Sequence, residues 1–147
     1  MRRNLRGWIA LSWPDRGRVL GMMLFGLPAI HLALRGYGFG RTRGWLERRS
    51  PAHASRQASA SDLDAAKHLA RLAAIAGRRG PLRATCLRQS LLVYWLLRRR
   101  GFAPELKIGV QRIHGATDAH AWVELEGTAL PPGPLAHQPF DLDSARG

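Results

Sequence analysis

One cysteine and one histidine in the second half of the chain have the types and positions that nucleophilic catalysis requires. Cys86 is the only cysteine among 147 residues and directly precedes a long apolar run. That position lies at the first turn of a predicted helix, where unpaired backbone amides and the helix dipole favour a thiolate. His120 follows on a predicted strand, so a helix packed on the sheet can bring the imidazole to the sulfur. The pair then has the chemistry of a nucleophile and its general base.

Both residues also have an ordinary structural explanation. A lone cysteine in an Ala- and Leu-rich segment is commonly buried as a small apolar side chain. The chain has six histidines, so one falls on a strand by chance. Taken alone, the spacing of Cys86 and His120 leaves two alternatives open, a thiol enzyme and a packing cysteine.

Two helices are predicted ahead of the sheet. Residues 62–80 carry apolar side chains at helical spacing, and Ser61 is expected to cap their first turn. Residues 87–100 form the helix that follows Cys86, with Thr85 as the capping residue and one broad apolar face.

The apolar pattern then changes from helical spacing to alternation, which is typical of strands. Residues 105–110 and 120–125 are predicted as two strands joined by a connection at 111–119. A turn, a short strand, a proline-rich stop and a tail follow. Three residues of the second strand share one face: His120, Trp122 and Glu124.

The first third of the chain is predicted to be helical around an apolar run at 19–34. Ser12 is placed to cap this helix, and Pro28 is expected to kink or split it. Residues 36–50 contain four glycines and predict a turn region leading into a short basic helix around Trp45.

The apolar run of about 16 residues is shorter than the roughly 20 that span a bilayer. We therefore predict a buried helix, with peripheral contact to a membrane as the alternative. No small-residue cleavage site follows the run, which argues against a signal peptide.

The length of the chain predicts one structural unit. The order of the predicted elements, helices followed by antiparallel strands, predicts the α+β class. Residues 1–50 form an N-terminal helical region that packs on the core, 51–61 form a loop, and 62–147 form the core itself. A single cysteine cannot form an internal disulfide, which fits a reducing cytoplasm.

Charge and motifs limit the partners. Lys and Arg number 23 against 10 Asp and Glu, a formal net charge of +13. Such a balance favours an acidic partner, a nucleic acid or an anionic membrane, or it reflects an Arg-rich composition. The sequence contains no nucleic-acid-binding motif, no nucleotide-binding glycine motif and no histidines at metal-ligand spacing, so we predict no nucleic acid, no cofactor and no metal.

The stretches "CLRQSLLVYWLLRRRGFAPELKIGV" and "AHAWVELEG" resemble the lasso peptide biosynthesis B2 proteins. This transglutaminase-like family cleaves the leader from a lasso precursor peptide. The resemblance implies a papain- or transglutaminase-like core in which the Cys-bearing helix packs on a small antiparallel sheet. It also implies Cys86 as nucleophile and His120 as general base, with Gln89 either supporting the oxyanion or lying on the solvated face of its helix. Trp122 is expected to belong to the core or to line the substrate cleft.

The third catalytic group departs from the family pattern. Members tend to carry an Asp or similar residue on the strand after the histidine, whereas this chain reads "TALPPGP" there. Asp141 is the favoured replacement, Asp143 and Glu124 are the other candidates, and a Cys–His dyad without a third group is the remaining alternative.

The resemblance implies partners rather than cofactors. They are a precursor peptide, a separate leader-binding B1 protein and a downstream lasso cyclase. Two other functions stay open at this stage: a basic, non-enzymatic module that binds nucleic acid or membrane, and an acyltransferase that uses an amine in place of water.

Overall fold

A computed structural model of the chain describes residues 12–50, 56–79, 85–113, 115–131 and 138–140. Within these ranges helices precede a four-stranded antiparallel sheet of order β3-β2-β1-β4. The elements are α1 (Trp13–Gly21), α2 (Leu27–Arg48), α3 (Ala60–Arg79), α4 (Cys86–Arg99), β1 (Glu105–Ile113), β2 (Ala116–Leu125), β3 (Thr128–Ala129) and β4 (Gln138–Phe140). The predicted α+β class, with the Cys-bearing helix on a small antiparallel sheet, is confirmed.

The helix starts follow from local polar contacts. Ser59, not Ser61 as predicted, caps α3, because Ser59 and Asp62 satisfy each other. The Asp62 amide donates to Ser59 Oγ at 3.2 Å, and the Ser59 amide donates to Asp62 Oδ2 at 3.0 Å. Thr85 occupies the N-cap position of α4 in extended conformation, but its hydroxyl makes no capping bond.

The N-terminal helix was expected to kink or split at Pro28, and its irregular turn lies just before that residue. A π-helical turn, Met22–Gly26, joins α1 to α2, and the Leu27 amide donates to the carbonyl of Met22, five residues back. Proline has no amide proton and its ring crowds the carbonyl four residues earlier. The widened turn therefore lets the helix continue through Pro28 without a sharp kink.

The glycine-rich segment predicted as a turn is helical instead. α2 runs to Arg48, and only Gly38 has non-helical backbone angles, φ 75° and ψ 175°. Buried residues on both sides of that point, Ile30 before it and Leu46 after it, hold the two arms of α2 against the core. Tertiary packing therefore outweighs the weak helix propensity of the glycines.

The apolar run at 19–34 is helical, but the prediction that it is buried holds for only one of its faces. Four side chains lie in the core: Val19, Met22, Leu27 and Ile30. Four others are exposed: Leu20, Leu24, Phe25 and Leu32. The helix lies on the outside of the molecule, so only one face contacts the rest of the protein.

One hydrophobic core unites the helices with the sheet. α4 packs between α3 and β2, and its buried residues include Leu91, Leu92 and Leu97. The sheet contributes the alternating side chains of one face, among them Val123 and Leu125. This packing presses α4 against β2 and fixes where the helix begins.

The strands are longer than the alternation predicted. β1 pairs with β2 from Glu105↔Glu124 to Ile113↔Ala116, so most of the predicted connection at 111–119 is strand. Glu126 and Gly127 form the next turn with φ 50° and 72°, the values of a type I′ hairpin. β4, where only a proline-rich stop and a tail were predicted, pairs with the other edge of β1.

Candidate active site

The edge of β2 that faces away from β1 presents the carbonyls of alternate residues. Three of these carbonyls in succession contact groups that do not belong to β1. The amide of Leu130 donates to the carbonyl of Val123 at 2.8 Å. The hydroxyl of Ser90 donates to Ala121 at 2.9 Å, and the thiol of Cys86 lies 3.9 Å from the carbonyl oxygen of Ala119. β3 covers only the Glu124 and Leu125 end of this edge, so the first turn of α4 covers the rest.

Helix and strand spacing explain this match. Residues four apart on a helix advance about 6 Å along the axis. Residues two apart on a strand advance about 6.8 Å and present their carbonyls to the same edge. Cys86 and Ser90 on α4 therefore align with Ala119 and Ala121 on β2.

Cys86 is the first residue of α4 and a free, partly exposed thiol. The carbonyl of Thr85 accepts the first helical hydrogen bond, from the amide of Gln89, at 3.1 Å. The amides at the start of a helix have no partner within the helix. Together with the helix dipole they stabilise a negative charge at this position, such as that of a thiolate. Cys86 therefore lies at the start of its helix, as predicted.

His120 directly follows Ala119 on β2, so it is the next residue after the one whose carbonyl the thiol contacts. The residue opposite His120 on β1 is Gly109, which has no side chain to crowd the ring. The imidazole stacks on Trp122 with ring centroids 6.1 Å apart and planes at 18°. The structure thus places the thiol of Cys86 against the carbonyl of Ala119, the residue directly before His120.

Trp122 is only 1% exposed and lines the cavity beside Cys86, so it belongs to the core, and its contact with substrate stays a prediction. Its indole nitrogen donates to Glu124 Oε1 at 2.9 Å, which engages the carboxylate of that candidate third group. Trp122 is therefore a buried support behind His120. The other candidates, Asp141 and Asp143, lie outside the described residues, so the third group stays a prediction.

Gln89 is packed against α3. A Cβ added at Gly77 would lie 2.7 Å from Cδ and 2.9 Å from Cγ of Gln89, so the glycine makes room for this side chain. Beside it is a cavity of 20 Å³, room for about one water molecule. Its lining includes Cys86, Gln89, Ser90, Ala121 and Trp122. Gln89 is therefore near the thiol, as the predicted oxyanion role requires.

Two residues that shape the site were not identified from sequence. Ser90 lies in the stretch that begins "CLRQSLLVYW", and its distance of four residues, one helical turn, from Cys86 was a usable signal. Gly77 gave none, because its role depends on how closely α3 approaches α4. In the part of the chain that the structure covers, no three His, Cys, Asp or Glu side chains are grouped to hold a metal.

A family model described as the transglutaminase-like superfamily matches residues 27–141. The matched range begins with α2, contains both Cys86 and His120, and extends one residue past β4. No curated protein and no solved structure matches the chain significantly.

Proposed function

Because the chain belongs to the transglutaminase-like superfamily, we propose that it is a cysteine peptidase that removes the leader from a lasso precursor peptide. One observation carries the catalytic part of this proposal. Cys86 begins α4 and contacts the carbonyl of Ala119, the residue directly before His120. A thiol at a helix start, with an imidazole on the strand that the helix packs against, is the arrangement that thiol catalysis uses.

The reaction proceeds in two steps. His120 accepts the thiol proton of Cys86, and the sulfur attacks the carbonyl carbon of the leader–core peptide bond. Collapse of the tetrahedral intermediate breaks the C–N bond, and the imidazolium returns its proton to the leaving amine. Water, activated by the same imidazole, then hydrolyses the thioester and releases the leader carboxylate and the free thiol.

The oxyanion of each tetrahedral intermediate needs hydrogen-bond donors that are already oriented. The first-turn amides of α4, that of Cys86 among them, are suited to this role because they lack helical acceptors. The side-chain amide of Gln89 is a second donor in this proposal, because Gln89 lines the same cavity as Cys86.

The lasso substrate is a finer proposal than the family membership. It is supported by the sequence around the two catalytic residues, "CLRQSLLVYW" and "AHAWVELEG". In this proposal a B1 protein binds the leader and delivers the precursor in the cytoplasm. A lasso cyclase then takes the freed core peptide.

Mass spectrometry of the precursor peptide encoded next to this protein, incubated with the protein and its B1 partner, tests the proposal. We expect one cut between leader and core, with products whose masses sum to the precursor plus one water. Cys86→Ala and His120→Ala abolish the cut. His68→Ala, which changes an exposed histidine of α3 bound to Asp15, is the matched control and cleaves normally.

A product in which an amine has replaced the water identifies an acyltransferase and contradicts hydrolysis. No cut, with precursor binding demonstrated and a thiol that iodoacetamide does not alkylate, contradicts the peptidase and favours a binding protein.

A further inference from the structure

We propose that the outer face of the N-terminal helices docks on the surface of an anionic lipid bilayer. The outer face consists of the exposed large apolar residues of α1, the π-helical turn and α2: Trp13, Leu20, Leu24, Phe25, Leu32, Tyr37 and Trp45. The proposal is independent of the peptidase function, because it uses none of the residues around Cys86.

The exposure of these residues is large and concentrated. Trp13 is 84% exposed, Phe25 74% and Leu32 67%. Among the described residues, Val110 is the only other large apolar side chain in this class. Trp13, Leu20, Leu24 and Leu32 are exposed, while Val19, Leu27 and Ile30 pack into the core. A helix that is apolar on both faces needs a second apolar environment.

The order of side-chain types along the outer face matches a membrane interface. In the sequence, the aliphatic residues and Phe25 of the outer face are flanked by amphipathic aromatic residues, Trp13 before them and Tyr37 and Trp45 after them. Because α2 changes direction at Gly38, Trp45 lies beside Phe25 and lines a pocket with it. Trp and Tyr favour the headgroup level of a bilayer. By length and composition the helical segment Trp13–Arg48 is apolar enough to cross a membrane. Since one side of it packs on the protein, it lies on the surface.

The charges of the same segment select an anionic surface. Residues 13–48 contain six arginines and two acidic residues. Both carboxylates are engaged inside the protein, Asp15 by Ser12, Arg18 and His68, and Glu47 by Arg43 and Tyr94. The remaining arginines are exposed: Arg16 partly, and Arg35, Arg41 and Arg48 strongly. Each cation near an anionic lipid surface adds to the attraction of the apolar face.

A groove between the two arms of α2 is suited to hold a lipid molecule, in addition to the contact of the outer face with the bilayer surface. It has a volume of about 530 Å³, an apolar floor of Ala29 and Ala33, and Arg41 and Arg48 at its rim. The hydroxyl of Thr42, which is 1% exposed and lines this groove, has no hydrogen-bond partner. A groove with this lining accommodates an acyl chain whose anionic headgroup contacts the arginines.

Co-sedimentation of the purified protein with vesicles tests the proposal. Vesicles of phosphatidylglycerol and phosphatidylcholine are expected to bind at least about tenfold more protein than vesicles of phosphatidylcholine alone. The double variant Leu24→Glu with Phe25→Glu is expected to weaken binding about tenfold or more. The double variant Arg41→Gln with Arg48→Gln removes most of the preference for phosphatidylglycerol. Cys86→Ala binds as wild type, which separates this surface from the peptidase.

Val110→Glu, the same type of change at an exposed apolar residue of β1, is the matched control and keeps wild-type binding. Circular dichroism verifies that every variant is folded. The proposal is overturned if phosphatidylglycerol vesicles do not bind the protein, or if the glutamate pair binds as well as wild type. It is equally overturned if the protein is a dimer in solution that the glutamate pair dissociates, because the outer face is then an interface between two copies.

Discussion

The hydroxyl of Ser90 donates a 2.9 Å hydrogen bond to the backbone carbonyl of Ala121. Ser90 lies one helical turn after Cys86, and Ala121 lies one residue after His120. This bond joins the helix that carries the thiol to the strand that carries the imidazole. It therefore sets the distance along β2 at which α4 begins.

We expect Ser90→Ala to lower the rate of leader cleavage about tenfold, because small displacements of a catalytic pair have large effects on rate. The loss of a buried hydrogen bond also lowers the free energy of unfolding by about 1–3 kcal/mol. Single-turnover cleavage and urea denaturation measure the two effects.

Ser50→Ala is the matched control for this substitution. Ser50 and Ser90 are both 8% exposed, and each hydroxyl donates to one backbone carbonyl. The hydroxyl of Ser50, however, donates to the carbonyl of Leu46 in the last turn of the helix that directly precedes it. Similar rates of cleavage in the two variants would show that Ser90 stabilises the fold without positioning Cys86.

The sequence was sufficient for the features that local patterns determine. Helical spacing predicted a helix from residue 87, one residue after the observed start of α4 at Cys86. Alternation predicted the cores of the two strands, with His120 on the second. Both patterns arise from which face of one element is buried, so a single chain displays them. The α+β class follows from their order.

Features that depend on distant parts of the chain could not be predicted. β4 follows a proline-rich stretch, and prolines cannot donate to a ladder, so the sequence favoured a tail. Gly38 is the one glycine of its segment that leaves the helix, and packing on both sides decides which one. The bond between Ser90 and Ala121 likewise joins residues that are distant in sequence.

Gly77→Ala tests the role of Gln89 at the site. The new methyl group would overlap the end of the Gln89 side chain, so the amide is expected to rotate away from the cavity beside Cys86. Alanine gains about 1 kcal/mol over glycine in a helix interior, which offsets much of the strain. We expect leader cleavage to fall about tenfold while the unfolding midpoint changes little.

Gln89→Ala is expected to reproduce the effect of Gly77→Ala on cleavage. Gly17→Ala is the matched control, because Gly17 is also inside a helix but has open space at its Cβ position. If Gln89→Ala cleaves as wild type, the amide has no part in stabilising the oxyanion.

Asp15 links α1 to α3 through His68 at 3.0 Å and makes stability depend on pH. The hydrogen bond from Ser12, and to a smaller extent those from His68 and Arg18, lower the pKa of Asp15, against partial burial that raises it. Because its pKa is lower in the folded state, the ionised carboxylate of Asp15 stabilises the fold at pH values above the usual pKa of a carboxyl group. This contribution is lost progressively as pH falls from about 5 to 2.

We therefore expect the urea midpoint of wild type to fall more steeply over this pH range than that of Asp15→Asn. Above about pH 5 the variant is the less stable of the two, and the curves converge in acid. Asp64→Asn, at an exposed carboxylate of α3, retains the wild-type slope. Parallel curves for Asp15→Asn and wild type would mean that the link between α1 and α3 is not ionic.

Gly38 is where α2 changes direction, and its backbone angles of φ 75° and ψ 175° are open almost only to glycine. We expect Gly38→Ala to lower the free energy of unfolding by about 1–3 kcal/mol, measured by urea denaturation. Open space surrounds the Cβ position, so the cost comes from the backbone and not from a clash. Gly36→Ala and Gly40→Ala are matched controls in the same helix, also with open space, and both are expected to stabilise by up to about 1 kcal/mol. A stabilised Gly38→Ala would mean that α2 straightens and that the groove between its two arms is lost.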